Sequence, residues 1–237
     1  MEERPILQPR LRSIADSIPA SCRRVADIGT DHGYIPVELL LTGCADFAIA
    51  ADIGAEPLAH AERTAARCGI TEGIDFRLGD GLAVVRPHEA DCVVIAGMGG
   101  DNIVSILQAA AWTKTDCTLL LQPMSKSEIL RAWLPENGYR VIREQLVADK
   151  GVIYPILTVT GGAMPAADPA QAYGGFLLQE DPLWGDYLDH RILRLRRAAA
   201  GLERARDSAL AERRAHFAEI IGRLAEWKGE WLRANGT

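Results

Sequence analysis

The chain has 237 residues, 48% hydrophobic and 24% charged, with a net charge of −6 at neutral pH. That is enough apolar material for a buried core, and it excludes both a disordered chain and a uniformly basic nucleic-acid binder. The charge is uneven: residues 1–170 carry 15 basic and 22 acidic side chains, whereas residues 171–237 carry 11 and 10. Five cysteines (Cys22, Cys44, Cys68, Cys92, Cys117) form no CxxC pair; buried reduced thiols are expected, with no disulfide framework and no metal site. The N-terminus, MEERPILQPR, is charged, without a signal peptide, and no apolar run reaches membrane-spanning length, so the expected compartment is the cytoplasm.

Taken in order, a short helix over about 7–18 precedes a strand at 24–28 (RVADI) and a helix over 34–43 stopped at Gly43. A second strand (47–52), a helix with a glycine stop (55–69) and a third strand (75–80) follow. The strand at 91–97, the helix at 101–111, the strand at 117–123 and a serine-capped helix at 125–138 complete the alternation. Helix-linked strands predict a mainly parallel, doubly wound α/β sheet. The pattern then changes to two strand-like runs, 139–148 and 152–160, joined by Asp149, Lys150 and Gly151, a hairpin with a glycine for positive φ. Five such strands ending in an antiparallel hairpin is the layout of class I S-adenosylmethionine (SAM)-dependent methyltransferases, where a dehydrogenase domain continues with another parallel unit.

Residues 163–175, rich in Gly, Ala and Pro, read as a linker between a catalytic unit (1–162) and a helical unit (176–237). In the latter, Leu188, Ile192, Leu195, Ala199 and Leu202 keep the spacing of a coiled-coil seam. The register breaks near Arg206, and Leu210, Phe217, Ile221 and Leu224 continue out of phase; two antiparallel helices or one interrupted helix both fit.

Four stretches at predicted strand ends carry chemistry. Asp27-Ile28-Gly29-Thr30-Asp31-His32-Gly33 follows a strand and opens a helix; its glycines admit close backbone approach, and the helix N-terminus offers free N–H groups to an anion such as the SAM carboxylate. Asp52 closes the second strand, where an acid accepts hydrogen bonds from both ribose hydroxyls, with Ile53 against the adenine face. Asp80, before Gly81 and Leu82, is positioned for the adenine amino group. Gly97-Met98-Gly99-Gly100 follows the fourth strand; Gly97 and Met98 are expected on the cofactor, Gly99 and Gly100 beside a flat base. The bland readings are tight turns and an exposed strand-end acid. Ligands in open α/β sheets bind at these strand ends, so the four stretches reinforce one another.

ADIGTDHGYIP, GDGL, IAGMGG and LLLQP, followed by Leu130 to Tyr139 (LRAWLPENGY), resemble the bacterial tRNA adenine-22 N1-methyltransferase family over nearly all of residues 10–162. The resemblance implies methyl transfer from SAM to N1 of a tRNA adenine, and a C-terminal coiled-coil domain. Asp31 is the candidate catalytic carboxylate, accepting from the N6 amino group of the target; binding the SAM ammonium group is the equal alternative. His32 is a weaker candidate. Arg194 and Arg197, among the tail arginines, are candidates for tRNA phosphates, against the bland reading of a solvated, ion-paired face. Rival functions are a SAM-dependent enzyme with another nucleic-acid or small-molecule substrate, a NAD-binding oxidoreductase, and a SAM-binding regulator without activity.

Overall fold

The computed structural model describes residues 4–115, 117–202 and 208–236. Helix α1 (Pro9–Asp16) lies ahead of a seven-stranded sheet. The sheet is built from β1 (Arg24–Ile28), β2 (Phe47–Asp52), β3 (Ile74–Leu78), β4 (Cys92–Gly99), β5 (Thr118–Ser125), β6 (Tyr139–Asp149) and β7 (Val152–Gly161). The helices between them are α2 (Tyr34–Leu41), α3 (Ala55–Arg67), α4 (Gly100–Gln108) and α5 (Ser127–Glu136). Spatial order is β3-β2-β1-β4-β5-β7-β6. The first five strands pair in parallel, and β7 runs antiparallel to both β5 and β6.

Strand pleating splits the core in two. Ala26, Ile28, Val93, Ile95, Leu119 and Leu121 point to one face, against Leu107 of α4 and Leu130 and Leu134 of α5. Their neighbours Val25, Cys92, Val94 and Leu120 point to the other, against Ile14 of α1 and Ile35 and Leu39 of α2. Period-two alternation with both faces covered is why these strands read as continuous apolar runs. Lys150 (φ 49°) and Gly151 (φ 77°) are both left-handed, so the β6–β7 turn is of the primed type that matches strand twist.

Three expectations change. No serine caps α5: the preceding Lys126 has φ 54° and no side-chain cap forms, because Ser125 is drawn into the sheet opposite Gly99. Cys44 is exposed, whereas the other four thiols are buried. The stretch read as a linker contains α6 (Pro169–Gly174), closed at its start by a capping box between Asp168 and Gln171.

The tail forms α7 (Trp184–Leu202) and α8 (Ser208–Ala234). The start of α7 meets the end of α8: Gly185 faces Trp231, and Asp189 pairs with Lys228 at 2.5 Å. The two helices are therefore antiparallel. The register break near Arg206, and with it Arg204, lies outside the described residues. Leu188, Ile192 and Leu195 share an apolar cluster with Phe217, Ile220 and Leu224. A fully buried ion pair, Arg131 Nε to Glu144 Oε1 at 2.7 Å, joins α5 to β6. Arg131 also donates to the Tyr187 hydroxyl on α7, and Glu144 accepts from the Phe176 and Leu177 N–H groups. The tail is thereby tied to the sheet through this polar cluster, and also by the Arg191–Glu128 ion pair and the Leu146 N–H bond to Asp181. Among the described residues no helix is long and apolar enough to cross a membrane.

Candidate functional site

A cavity of about 840 Å³ opens at the carboxyl ends of β1, β2 and β4, at the switch point where strand order reverses. Asp27, Gly29, Thr30, Asp31 and His32 line it from the β1 loop, Asp52 and Ile53 from β2, Asp80 and Gly81 from β3, and Gly97 and Met98 from β4. Residues up to 71 positions apart in the chain thus share one wall, as the strand-end argument requires.

The β1 loop is stitched to β2. The N–H groups of Gly29 and Thr30 donate to the Ala51 carbonyl at 2.8 and 3.0 Å. The Asp31 N–H donates to Asp52 Oδ2 at 3.2 Å, and the Gly54 N–H to Asp52 Oδ1 at 2.9 Å. Both oxygens of Asp52 are thus held by backbone donors in the cavity wall. Asp27 is buried and accepts from the Thr30 hydroxyl at 2.7 Å. Burial pushes its carboxyl from 3.8 up to about 6, the Thr30 hydrogen bond opposes this, and the nearby Asp52 adds to it. Asp31 is exposed and left-handed (φ 50°), a conformation Asp tolerates better than most residues. Its side chain projects at the cavity rim while its backbone is fixed by Asp52.

Gly29 (φ 74°) has little room for a side chain: a Cβ there would sit 2.3 Å from Met98 Cε. Gly33 does not line the cavity. It is left-handed, and a Cβ would lie 2.8 Å from Ala61 Cβ, so it serves the packing of α2 on α3. Leu82 is also absent from the wall; it is 4% exposed within the core. Gly99 and Gly100 are set back as well. A Cβ would lie 2.5 Å from Asp101 Oδ1 at Gly99 and 2.2 Å from the Lys126 carbonyl at Gly100. At Gly100 the absence of a side chain lets α4 start beside the β5–α5 turn. Arg194 and Arg197 lie on α7, outside the cavity, in a separate groove.

Tyr34, within the first motif, also lines the wall, and other wall residues escape the motif reading: Arg10, Asn102, Ile106 and Lys150. Arg10 donates to the buried Gln122 side chain at 2.8 Å, and the Gly97 N–H donates to the same oxygen at 3.2 Å. The N-terminal helix thereby helps hold the β4 loop. Its signal is a contact across 112 residues, which no local pattern carries. His32 stacks between Tyr34 (centroids 5.3 Å) and His60 (5.0 Å). Asp31, His32 and His60 bring one ligand atom each within 4.8 Å. The two imidazoles are only 7° from parallel, so their in-plane lone pairs do not converge on one ion at zinc–nitrogen distance.

Residues 7–157 match the family model described as "Methyltransferase domain". The chain is 37% identical to the tRNA (adenine(22)-N(1))-methyltransferase of Bacillus subtilis (strain 168) over 183 residues, 77% of this chain and 74% of that one. It belongs to the tRNA (adenine(22)-N(1))-methyltransferase family. Members of the family with solved structures share the whole architecture. The B. subtilis tRNA methyltransferase TrmK superposes with a TM-score of 0.85 at 28% identity, covering 95% of this chain and 100% of that one. A putative tRNA methyltransferase of Streptococcus pneumoniae, solved in complex with S-adenosyl-L-methionine, superposes at 0.82 with 26% identity, covering 94% and 100%. Family membership thus extends, at the level of fold, over the helical tail that carries no motif.

Proposed function

We infer that this chain is a tRNA (adenine(22)-N1)-methyltransferase that transfers methyl from SAM to N1 of an adenine in tRNA, in the cytoplasm. The observation that carries the reading is the cavity at the β1/β4 switch point, walled by Asp27, Gly29, Asp52 and Asp80, in a chain of this family. The residues fit the cofactor. The volume lies within the range of small-molecule sites, Asp52 presents a backbone-oriented carboxylate for ribose hydroxyls, and Ile53, 72% exposed, offers an apolar face for a flat ring. Asp80 and Gly81 border the base end, Gly97 and Met98 the reacting end, and Asp27, Gly29, Thr30 and His32 the methionine end. An acid at Asp52 suits NAD equally; the terminal hairpin and the relatives favour SAM.

Bound SAM supplies an electrophilic methyl group, so the protein need not generate one. N1 of adenine has an in-plane lone pair and requires no prior deprotonation. The chain's task is alignment and charge stabilisation. As N1 acquires the methyl group the adenine becomes cationic, and Asp31 accepts from its N6 amino group where that charge develops. Two features favour this role over binding the cofactor ammonium: the Asp31 side chain is at the exposed rim, and its backbone is held by Asp52. N1 is hidden in a base pair or stack, so the target is exposed at a cost of a few kcal/mol, offset by contacts elsewhere on the tRNA.

For that we assign a helical coiled-coil unit (176–237), joined through 163–175 to the catalytic unit (1–162), with Arg194 and Arg197 toward phosphates. The antiparallel α7–α8 pair and its shared apolar seam support this assignment. The test is methyl transfer to unmodified tRNA with the modified position mapped. Methylation at adenine 22, lost when that base is replaced by guanine, is expected. A different position, or SAM binding without transfer, overturns the reading.

A further inference from the structure

Beside the cavity lies a second groove of about 230 Å³, between the ends of β5 and β7 and helix α7. It is too small for a cofactor-sized ligand but has room for a single ring system. Met124, Val152 and Leu193 contribute exposed apolar surface, 39, 45 and 46% accessible, to its walls. Exposed apolar groups lining one groove call for an occupant. Arg194 and Arg197, both exposed, stand in the same wall. Arg191 there is already paired with Glu128, whereas Arg194 and Arg197 meet no carboxylate among the described residues. No acidic side chain lines the groove among those residues.

The groove adjoins the cavity at two points. Met98, in the cavity wall, pairs in register with Pro123, in the groove wall. Lys150 lines the cavity, and Val152, two residues further along the same hairpin, lines the groove. An RNA strand delivering a base to the cavity therefore passes this groove within a nucleotide or two.

We propose that the groove is a second nucleotide site: it takes one unpaired base flanking the target adenine on its apolar wall, with the adjoining phosphates on Arg194 and Arg197. This rests on the reading of the chain as a tRNA methyltransferase. Apolar contact to a splayed base and cations on its phosphates are the usual means of holding single-stranded nucleic acid, and holding a neighbour open offsets the cost of exposing the target.

The test uses the full chain and unmodified tRNA, with single abasic substitutions at the nucleotides flanking the target. Binding and methyl transfer are both read. On intact tRNA, Leu193→Asp should weaken binding about tenfold and raise KM alike, with kcat within about twofold and SAM affinity unchanged. Leu193→Met should restore wild-type values. One flanking abasic site should weaken the wild-type chain about tenfold and Leu193→Asp no further. The double variant Arg194→Ala/Arg197→Ala should flatten the log–log salt dependence by about 1.4. The inference is overturned if Leu193→Asp binds intact tRNA as the wild type does. It is also overturned if no flanking abasic site matters, which would leave a phosphate contact alone. Groove-dependent binding without methylation sinks the activity reading instead, and methylation with groove-independent binding sinks only this inference.

Discussion

Asp27→Asn is expected to make the unliganded protein more stable and a worse methyltransferase. Asp27 is 4% exposed, and its carboxyl titrates at about 6 rather than 3.8 because burial disfavours the charge. A raised acid pKa means that the folded state holds its proton more tightly than the unfolded chain. The resulting stabilisation is present at low pH and is lost as pH rises through the folded value. The rise from 3.8 to about 6 corresponds to a cost of about 3 kcal/mol in the ionised folded state, fully developed at pH 7.5 and about half developed at pH 5. Asparagine keeps the shape and still accepts from Thr30, but carries no charge to desolvate. Asp27→Asn should therefore gain about 3 kcal/mol at pH 7.5, roughly 6–12 °C in Tm for a chain of this size, and about half that at pH 5. Thermal and urea unfolding without ligand at both pH values measure it, and calorimetry should show weakened SAM binding. A gain that does not grow with pH, or a variant less stable than wild type at pH 7.5, refutes the electrostatic argument.

Asp31→Asn should lower single-turnover methyl transfer about 100-fold with SAM affinity within about threefold, because it removes the charge while keeping a residue tolerant of φ 50°; a parallel loss of SAM affinity assigns Asp31 to the cofactor instead. Gly29→Ala should weaken SAM binding at least tenfold and destabilise by about 1–3 kcal/mol, since its Cβ meets Met98 at 2.3 Å and its φ is positive. Adding Met98→Ala should recover only the steric part, which calorimetry and thermal unfolding resolve. Arg131→Ala should cost about 3–5 kcal/mol in urea unfolding by stranding Glu144 in the core, and Glu144→Gln should cost a similar amount, because it strands the Arg131 charge and turns an NH2 toward either Arg131 or the Phe176 and Leu177 N–H groups.

The legible parts of this molecule are those encoded locally. Continuous apolar runs such as Val93–Val94–Ile95 announce strands covered on both faces, and Gly43 and Gly69, both left-handed, mark helix ends where the residue type alone predicts a stop. The same logic brings Asp27, Asp31, Asp52, Asp80 and Met98 to one cavity, because each lies at or just past the carboxyl end of a strand of a parallel sheet. Glycines are where the reading divides. Gly29 and Gly97 face the cavity, whereas Gly33 and Gly100 are small because a neighbouring helix or turn packs on them. A bare glycine motif has the same letters in both cases, and only the position of Ala61 or Lys126 separates them. Arg10 and Lys150 are hidden for a related reason: their place in the wall depends on long-range packing, as in the bond from Arg10 to Gln122.

Among the described residues four are left-handed without being glycine: Asp31 and Lys150 in the cavity wall, Lys126 at the turn that supports Gly100, and His88 ahead of β4 at the other end of the sheet; each conformation costs of order 1 kcal/mol. The first three are held in place. Asp52 holds the Asp31 N–H, Asp101 pairs with Lys126, and the primed turn fixes Lys150 between two long paired strands. Asp31, Lys126, Lys150 and the buried charge of Asp27 are departures from the most stable local choice that share the carboxyl end of the sheet. Stability alone would select asparagine at position 27 and glycine at position 31. A buried carboxylate and a left-handed one at the strand ends where ligands of open α/β sheets bind are departures that a binding site accounts for and packing alone does not.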